Sequence, residues 1–188
     1  MYSLFIDTHN ELIKIILFKD GKILTDKEKM SNMQHSVYTM PMIEETLKEN
    51  NIESSNLNEI IVVNGPGSFT GVRIGVTIAK TMAYLLNIPI KSIDTLKMQA
   101  LLIDKDKKIV IENEKNGKYL GMFDKNNNII QKYKYMKNSE FEEFIKDNII
   151  DEVKINYEML YEKLKDEQNI NPHAVNPLYI KVIEVLKW

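Results

Sequence analysis

Apolar residues at the start of the chain fall in short β-rich runs, Tyr2 to Asp7 and Leu12 to Phe18. Lys19, Asp20 and Gly21 form a strong turn signal, and Lys22 to Lys27 continues as a third strand, so the N-terminus reads as an antiparallel meander. The period then changes. Val37, Met40, Ile43 and Leu47 recur at helical spacing between Ser36 and Asn50, which predicts a helix with one apolar stripe. Pro41 sits in its first turn if Thr39 is the cap, and causes a bend if the helix begins near Ser36. Leu57 to Val63 reads as a buried strand, followed by a glycine-rich loop and a helix from about Gly71 to Leu86. Asn87 to Asp94 supplies a stop, a short strand and a cap for a helix over Thr95 to Ile103. Strand, crossover helix and strand make a parallel unit, so the first half is mixed α/β. Beyond it, brief strands are expected at Ile109 to Glu112, Lys118 to Asp124 and Asn128 to Met136. A helix capped by Ser139, with Glu142 closing a capping box, and another over Asn156 to Asp166 follow. Tyr179 and Trp188 suggest a C-terminal tail docked on the body.

Composition narrows the chemistry. The 188 residues carry a net charge of −2 and give no general basic field for nucleic acid. The absence of cysteine removes disulfides and thiolate chemistry, and His9, His35 and His173 show no metal-binding spacing, so no metal site is expected. No signal peptide or membrane span is read, and a cytoplasmic protein is expected. The richness in Lys, Asn and Ile reads as compositional bias rather than a binding duty.

The segment "NGPGSFTGVRIGVTIAKTMAYLL", Asn64 to Leu86, carries the most information. A turn of small residues opening a helix can present backbone N–H groups to an anion. However, Gly71 is followed by Val72 and Arg73 rather than Lys-Ser/Thr, and the glycine spacing is not that of a dinucleotide-binding turn. The residues support a tight turn with Pro66 fixing φ, Gly67 free for positive φ and Thr70 as N-cap. Gly71, Gly75, Ala79 and Ala83 recur every four residues and give a face almost without side chains, suited to intramolecular packing or to an intersubunit contact. Arg73 in the first turn opposes the helix dipole unless a carboxylate or phosphate lies nearby, and an ion pair to Asp7 or a similar acid of the chain would satisfy it. Asp7 and Thr8 end the first strand, where a carboxylate could hold a magnesium-nucleotide. No catalytic residues gather in any one segment.

"LFIDTHN", "HS" followed by "MPMIEETL", the signature "NGPGSFTGVRIG" and the closing "NPLYIKVIEVLKW" resemble, in the same order, the TsaB (YeaZ) family. The resemblance covers residues 1 to about 100 and the last dozen. It implies an actin-like ATPase, sugar-kinase-like (ribonuclease H-like) α/β fold of two lobes, divided here as 1–98 and 99–188, with a shortened second lobe. It also implies a non-catalytic scaffold role in making N6-threonylcarbamoyladenosine (t6A) in transfer RNA. The implied partners are a TsaD-like transferase, a TsaE-like ATPase, a second copy when the transferase is absent, and tRNA only within the complex. No cofactor of its own is implied, ATP and Mg entering through the partner subunits. By match to the family's motifs, Asp7 and Thr8 are the remnant phosphate strand, and Gly65, Pro66, Gly67, Ser68, Phe69 and Thr70 are the signature loop. The partner interface falls on His35, Tyr38, Met40, Met42, Ile43, Leu47, Gly71, Val72, Arg73, Gly75, Val76, Ala79, Met82 and Ala83.

The middle departs from the family pattern. Glu112, Asn113 and Glu114 precede Tyr119 where many relatives have aspartate, alanine and arginine, and residues 105 to 175 are shorter than the usual second lobe. The alternatives are an actin-like kinase or ATPase that binds nucleotide by itself, and a general protein-interaction module.

Overall fold

The computed structural model describes residues 1–181. Strand β1 (Tyr2–Asp7) runs antiparallel to β2 (Leu12–Lys19), which turns at Asp20 and Gly21 into β3 (Lys22–Met30). Both turn residues have positive φ, 51° and 79°, the backbone of a two-residue hairpin that follows strand twist. After helix α1 (His35–Glu49), β4 (Glu59–Val63) pairs parallel with β1. Helix α2 (Phe69–Leu86) crosses to β5 (Ile90–Ile93), parallel to β4, and completes a sheet of order β3-β2-β1-β4-β5. Alternate β1 residues serve opposite faces. Leu4 and Ile6 meet Ile43, Leu47, Val72, Val76, Ala79 and Ala83 of α1 and α2, whereas Phe5 meets Leu160 and Leu164 of α5 (Tyr157–Leu164).

Helix α3 (Thr95–Ala100) leads to the second sheet, β6 (Lys107–Glu114), β7 (Gly117–Asp124) and β8 (Ile129–Lys137), all antiparallel. It acts as a wedge, with Met98 packed on the first sheet and Leu96 and Ala100 on Val110, Tyr119 and Phe123 of the second. Helix α4 (Asn138–Phe144) follows β8. The β3-β2-β1-β4-β5 order, the βαβ crossover and the smaller second sheet make the two-lobe actin-like, sugar-kinase-like fold. Among the described residues, no helix is long and apolar enough to cross a membrane.

Several local expectations are corrected. α1 begins at His35 after Gln34, so Pro41 lies inside the helix, and Thr39 is not the cap; its hydroxyl donates to the His35 carbonyl at 2.7 Å. The buried stripe of α1 is His35, Thr39, Met42, Ile43, Thr46 and Leu47, which turns Val37 and Met40 outward. Thr46 likewise donates to the Met42 carbonyl, so both threonines are buried without leaving a hydroxyl unpaired. α2 is capped by Ser68, whose Oγ accepts from the Gly71 N–H at 3.2 Å, and not by Thr70. At α4 the Lys137 N–H donates to Glu140 at 3.0 Å, in place of a cap by Ser139 with Glu142, because β8 runs directly into the helix. Trp188 lies outside the described residues.

Candidate functional site

The signature loop joins β4 to α2 and is held by its own chain. The left-handed residue is Gly65, with φ 98°, rather than Gly67. Gly67 is required for a different reason: a Cβ there would lie 2.2 Å from the His9 carbonyl oxygen. The Ser68 N–H donates to that carbonyl at 2.6 Å, and the Thr95 hydroxyl donates to the Pro66 carbonyl at 3.1 Å. Two of the N–H groups at the start of α2, those of Ser68 and Gly71, are thus already engaged within the chain.

The small-residue face of α2 packs on β1. A Cβ at Gly71 would lie 2.1 Å from the Thr8 carbonyl oxygen, and one at Gly75 would lie 2.2 Å from Thr8 Oγ1. Thr8 Oγ1 donates to the Gly71 carbonyl at 2.7 Å, and Ala79 and Ala83 are fully buried. Of the interface residues inferred from resemblance, His35, Met42, Ile43, Leu47, Gly71, Val72, Gly75, Val76, Ala79 and Ala83 are buried within the chain. Their side chains fill its own core. Met40 and Arg73 are exposed, and Tyr38 and Met82 are half-buried. The four-residue repeat is therefore intramolecular packing against the end of β1.

Asp7 does not pair with Arg73. Its Oδ1 accepts from the His9 backbone N–H at 3.0 Å and lies 2.6 Å from His9 Nδ1. His9 Nε2 faces Glu112 of β6 at 3.5 Å, which links the two sheets. Burial disfavours the imidazolium, but Asp7 and Glu112 outweigh that and push the His9 pKa up to about 10. These residues do not fit a magnesium-nucleotide. The Asp7 carboxylate is committed to an internal cation, the Thr8 hydroxyl to Gly71, and Glu112 adds negative charge where phosphates would need positive partners.

Arg73 instead lies over the Phe69 ring at 3.9 Å and donates from Nε to the Tyr179 hydroxyl at 2.6 Å. Tyr179 packs against Phe69 with ring centroids 5.4 Å apart. It reaches the loop because the Leu178 N–H donates to the Asn64 carbonyl and the Asn64 side-chain amide donates to the Asn176 carbonyl. Beside the outward face of α1 stands Met33, 87% exposed and held at φ 63°, with Val37 at 55% and Met40 at 39%. Sequence reasoning missed Met33 and the outward turn of Val37. The spacing of four and then three residues along Met33, Val37 and Met40 was the available signal.

A family profile described as "TsaD: tRNA N6-adenosine threonylcarbamoyltransferase" matches residues 28–111, which includes α1, β4, α2, β5 and α3. The chain is 39% identical over 100 residues to the tRNA threonylcarbamoyladenosine biosynthesis protein TsaB of Bacillus subtilis, covering 53% of this chain and 44% of that protein. It is 29% identical over 185 residues to the Mycoplasma pneumoniae protein described as "Uncharacterized protein MG208 homolog", covering 90% of this chain and 92% of that one. The structure of YeaZ from Pseudomonas aeruginosa superimposes with a TM-score of 0.75 at 17% identity, covering 95% of this chain and all of that one, a likeness of fold. The chain spans about half the length of the curated TsaB relatives that it matches first, 44% and 52%.

Proposed function

The chain closely matches the TsaB (YeaZ) proteins, and from that premise we propose that it is a non-catalytic scaffold of the machinery that makes t6A in transfer RNA. It binds and activates a TsaD-like transferase. A TsaE-like ATPase joins the complex, tRNA is bound only within it, and ATP and Mg enter through the partner subunits. In the absence of the transferase, a second copy takes its place. The observation that carries this reading is that the match centres on α1, the signature loop and α2, while Asp7 at the end of β1 is paired internally with His9, which also faces Glu112. The same cluster disfavours the reading as a free-standing kinase or ATPase. The buried residues of α1 and α2 hold the two helices in place, and their outward residues, Val37, Met40 and Arg73, meet the partner.

Reconstitution tests this. A TsaD-like transferase, a TsaE-like ATPase, threonylcarbamoyl-adenylate and tRNA are incubated with and without this chain, and t6A is measured by nucleoside chromatography. Product is expected only with the chain present and none from the chain alone. Undiminished product without the chain, or turnover by the chain alone, would overturn the reading.

A further inference from the structure

The chain contains 24 lysines and a single arginine, Arg73. In a chain whose basic positions are otherwise all lysine, the lone arginine marks a place where an ammonium does not suffice. The geometry gives the reason. A guanidinium is planar, stacks on aromatic faces and presents a fork of donors, none of which lysine can do. Here the plane lies over Phe69 at 3.9 Å and near Tyr179 at 5.6 Å, and Nε is used by the Tyr179 hydroxyl. Among the described residues, the two terminal nitrogens have no hydrogen-bond partner. Among the described residues no carboxylate pairs with Arg73, whereas thirteen other cation-to-acid pairs form across the chain surface and core, apart from the N-terminus pair.

The surroundings favour an anion. Phe69 and Tyr179, about half exposed, line a cleft of about 810 Å³ between the signature loop, the second sheet and residues 178–181, together with Lys134, Lys137 and Lys181. The acid in that lining, Glu114, is taken by the Tyr135 hydroxyl at 2.9 Å and by Lys181 at 3.6 Å. A cationic patch thus stands on a chain of net charge −2, with a pre-oriented arginine at its edge and aromatic rings around it. Arginine and tyrosine are enriched among the residues that carry most of the binding energy of protein interfaces.

We propose that Arg73, braced by Phe69 and Tyr179, is the anchor that grips a carboxylate side chain of the protein partner in a two-pronged ion pair. This rests on the scaffold reading above and names the chemistry of its contact: an aspartate or glutamate presented by the transferase.

The test is calorimetric titration of the TsaD-like transferase with the wild-type chain and with Arg73→Lys, Arg73→Ala and Tyr179→Phe, each checked for folding by circular dichroism. Arg73→Lys keeps the charge and removes the fork and the stack; it should weaken binding about tenfold or more, nearly as much as Arg73→Ala. Tyr179→Phe keeps the stack and frees Nε, and should weaken binding less. Wild-type binding with Arg73→Lys unchanged would overturn the anchor and leave the scaffold reading intact. No binding by the wild-type chain would overturn both. A parallel titration with tRNA separates the other source of anions: if Arg73→Lys weakens tRNA binding but not transferase binding, the guanidinium meets phosphate and the carboxylate proposal fails.

Discussion

Replacing Gly75 by Ala adds one methyl group to α2 at a point where the nearest atom, Thr8 Oγ1, is 2.2 Å away. Two effects oppose one another. Ala in a helix interior is better than Gly by about 0.8–1.0 kcal/mol, and overpacking a well-filled core costs about 1–3 kcal/mol. The substitution alone should therefore be neutral to destabilising, by up to about 2 kcal/mol. Thr8→Ala removes the obstructing oxygen and Cγ2, and leaves Cβ of residue 8 at 3.4 Å, an ordinary contact. It also forfeits the buried hydrogen bond to the Gly71 carbonyl, at about 0.5–1.5 kcal/mol. In the Thr8→Ala background, Gly75→Ala should reverse sign and stabilise by about 1 kcal/mol, giving a coupling of about 1–3 kcal/mol. Urea unfolding of the four proteins at 25 °C, followed by far-ultraviolet circular dichroism, measures all sides of the cycle. Additive effects, or a stabilising Gly75→Ala in the wild-type background, would refute the claim that this face of α2 is packed against β1.

The ion cluster, a buried lysine and the outward face of α1 can each be perturbed separately. His9 has its pKa raised from 6.5 to about 10, so its contribution to stability is complete below pH 6.5 and declines as pH rises towards 10; urea midpoints across that range should fall in the wild-type chain and flatten in His9→Gln, and equal slopes would contradict the Asp7–His9–Glu112 cluster. Lys91 lies 3.2 Å from buried Glu59, which also accepts from Ser3 and Tyr161. Lys91→Met should lower unfolding free energy by about 3–5 kcal/mol, with part regained on adding Glu59→Gln, measured by the same denaturation. Val37→Ser with Met40→Ser should change stability by no more than about 0.5 kcal/mol yet weaken transferase binding in calorimetry; a large loss of stability with unchanged binding would place these residues in the core instead.

Much of the fold was legible because local signals agreed with tertiary demands. The Asp20-Gly21 turn, the Asn87 stop in left-handed conformation with φ 53° and the Asp94 cap, whose carboxylate accepts from the Lys97 N–H at 2.7 Å, all stand where turn and cap chemistry placed them. α1 was misread because its buried stripe contains His35, Thr39 and Thr46, polar by composition but paired internally: the threonines to carbonyls one turn earlier and His35 through Nε2 to the Asn10 carbonyl at 2.7 Å. A hydrophobicity pattern counts such residues as outward-facing and rotates the stripe toward Val37 and Met40.

The site failed to be legible for a different reason, which bears on how the lone arginine is best understood. A cation in the first turn of α2 needs something to offset the helix dipole, and an acid such as Asp7 is what the sequence offers. Asp7 had a nearer cation two residues away in His9, and proximity along a strand end decides that competition. Arg73 was instead accommodated by π faces and one hydroxyl, the hydroxyl supplied 106 residues later by Tyr179. Such an arrangement holds the guanidinium in place with no acid paired to it among the described residues. An internal salt bridge would have consumed the fork and made Arg73 structural; lying over the Phe69 ring leaves its charge without a carboxylate partner among the described residues, which is the physical difference between a satisfied arginine and a poised one.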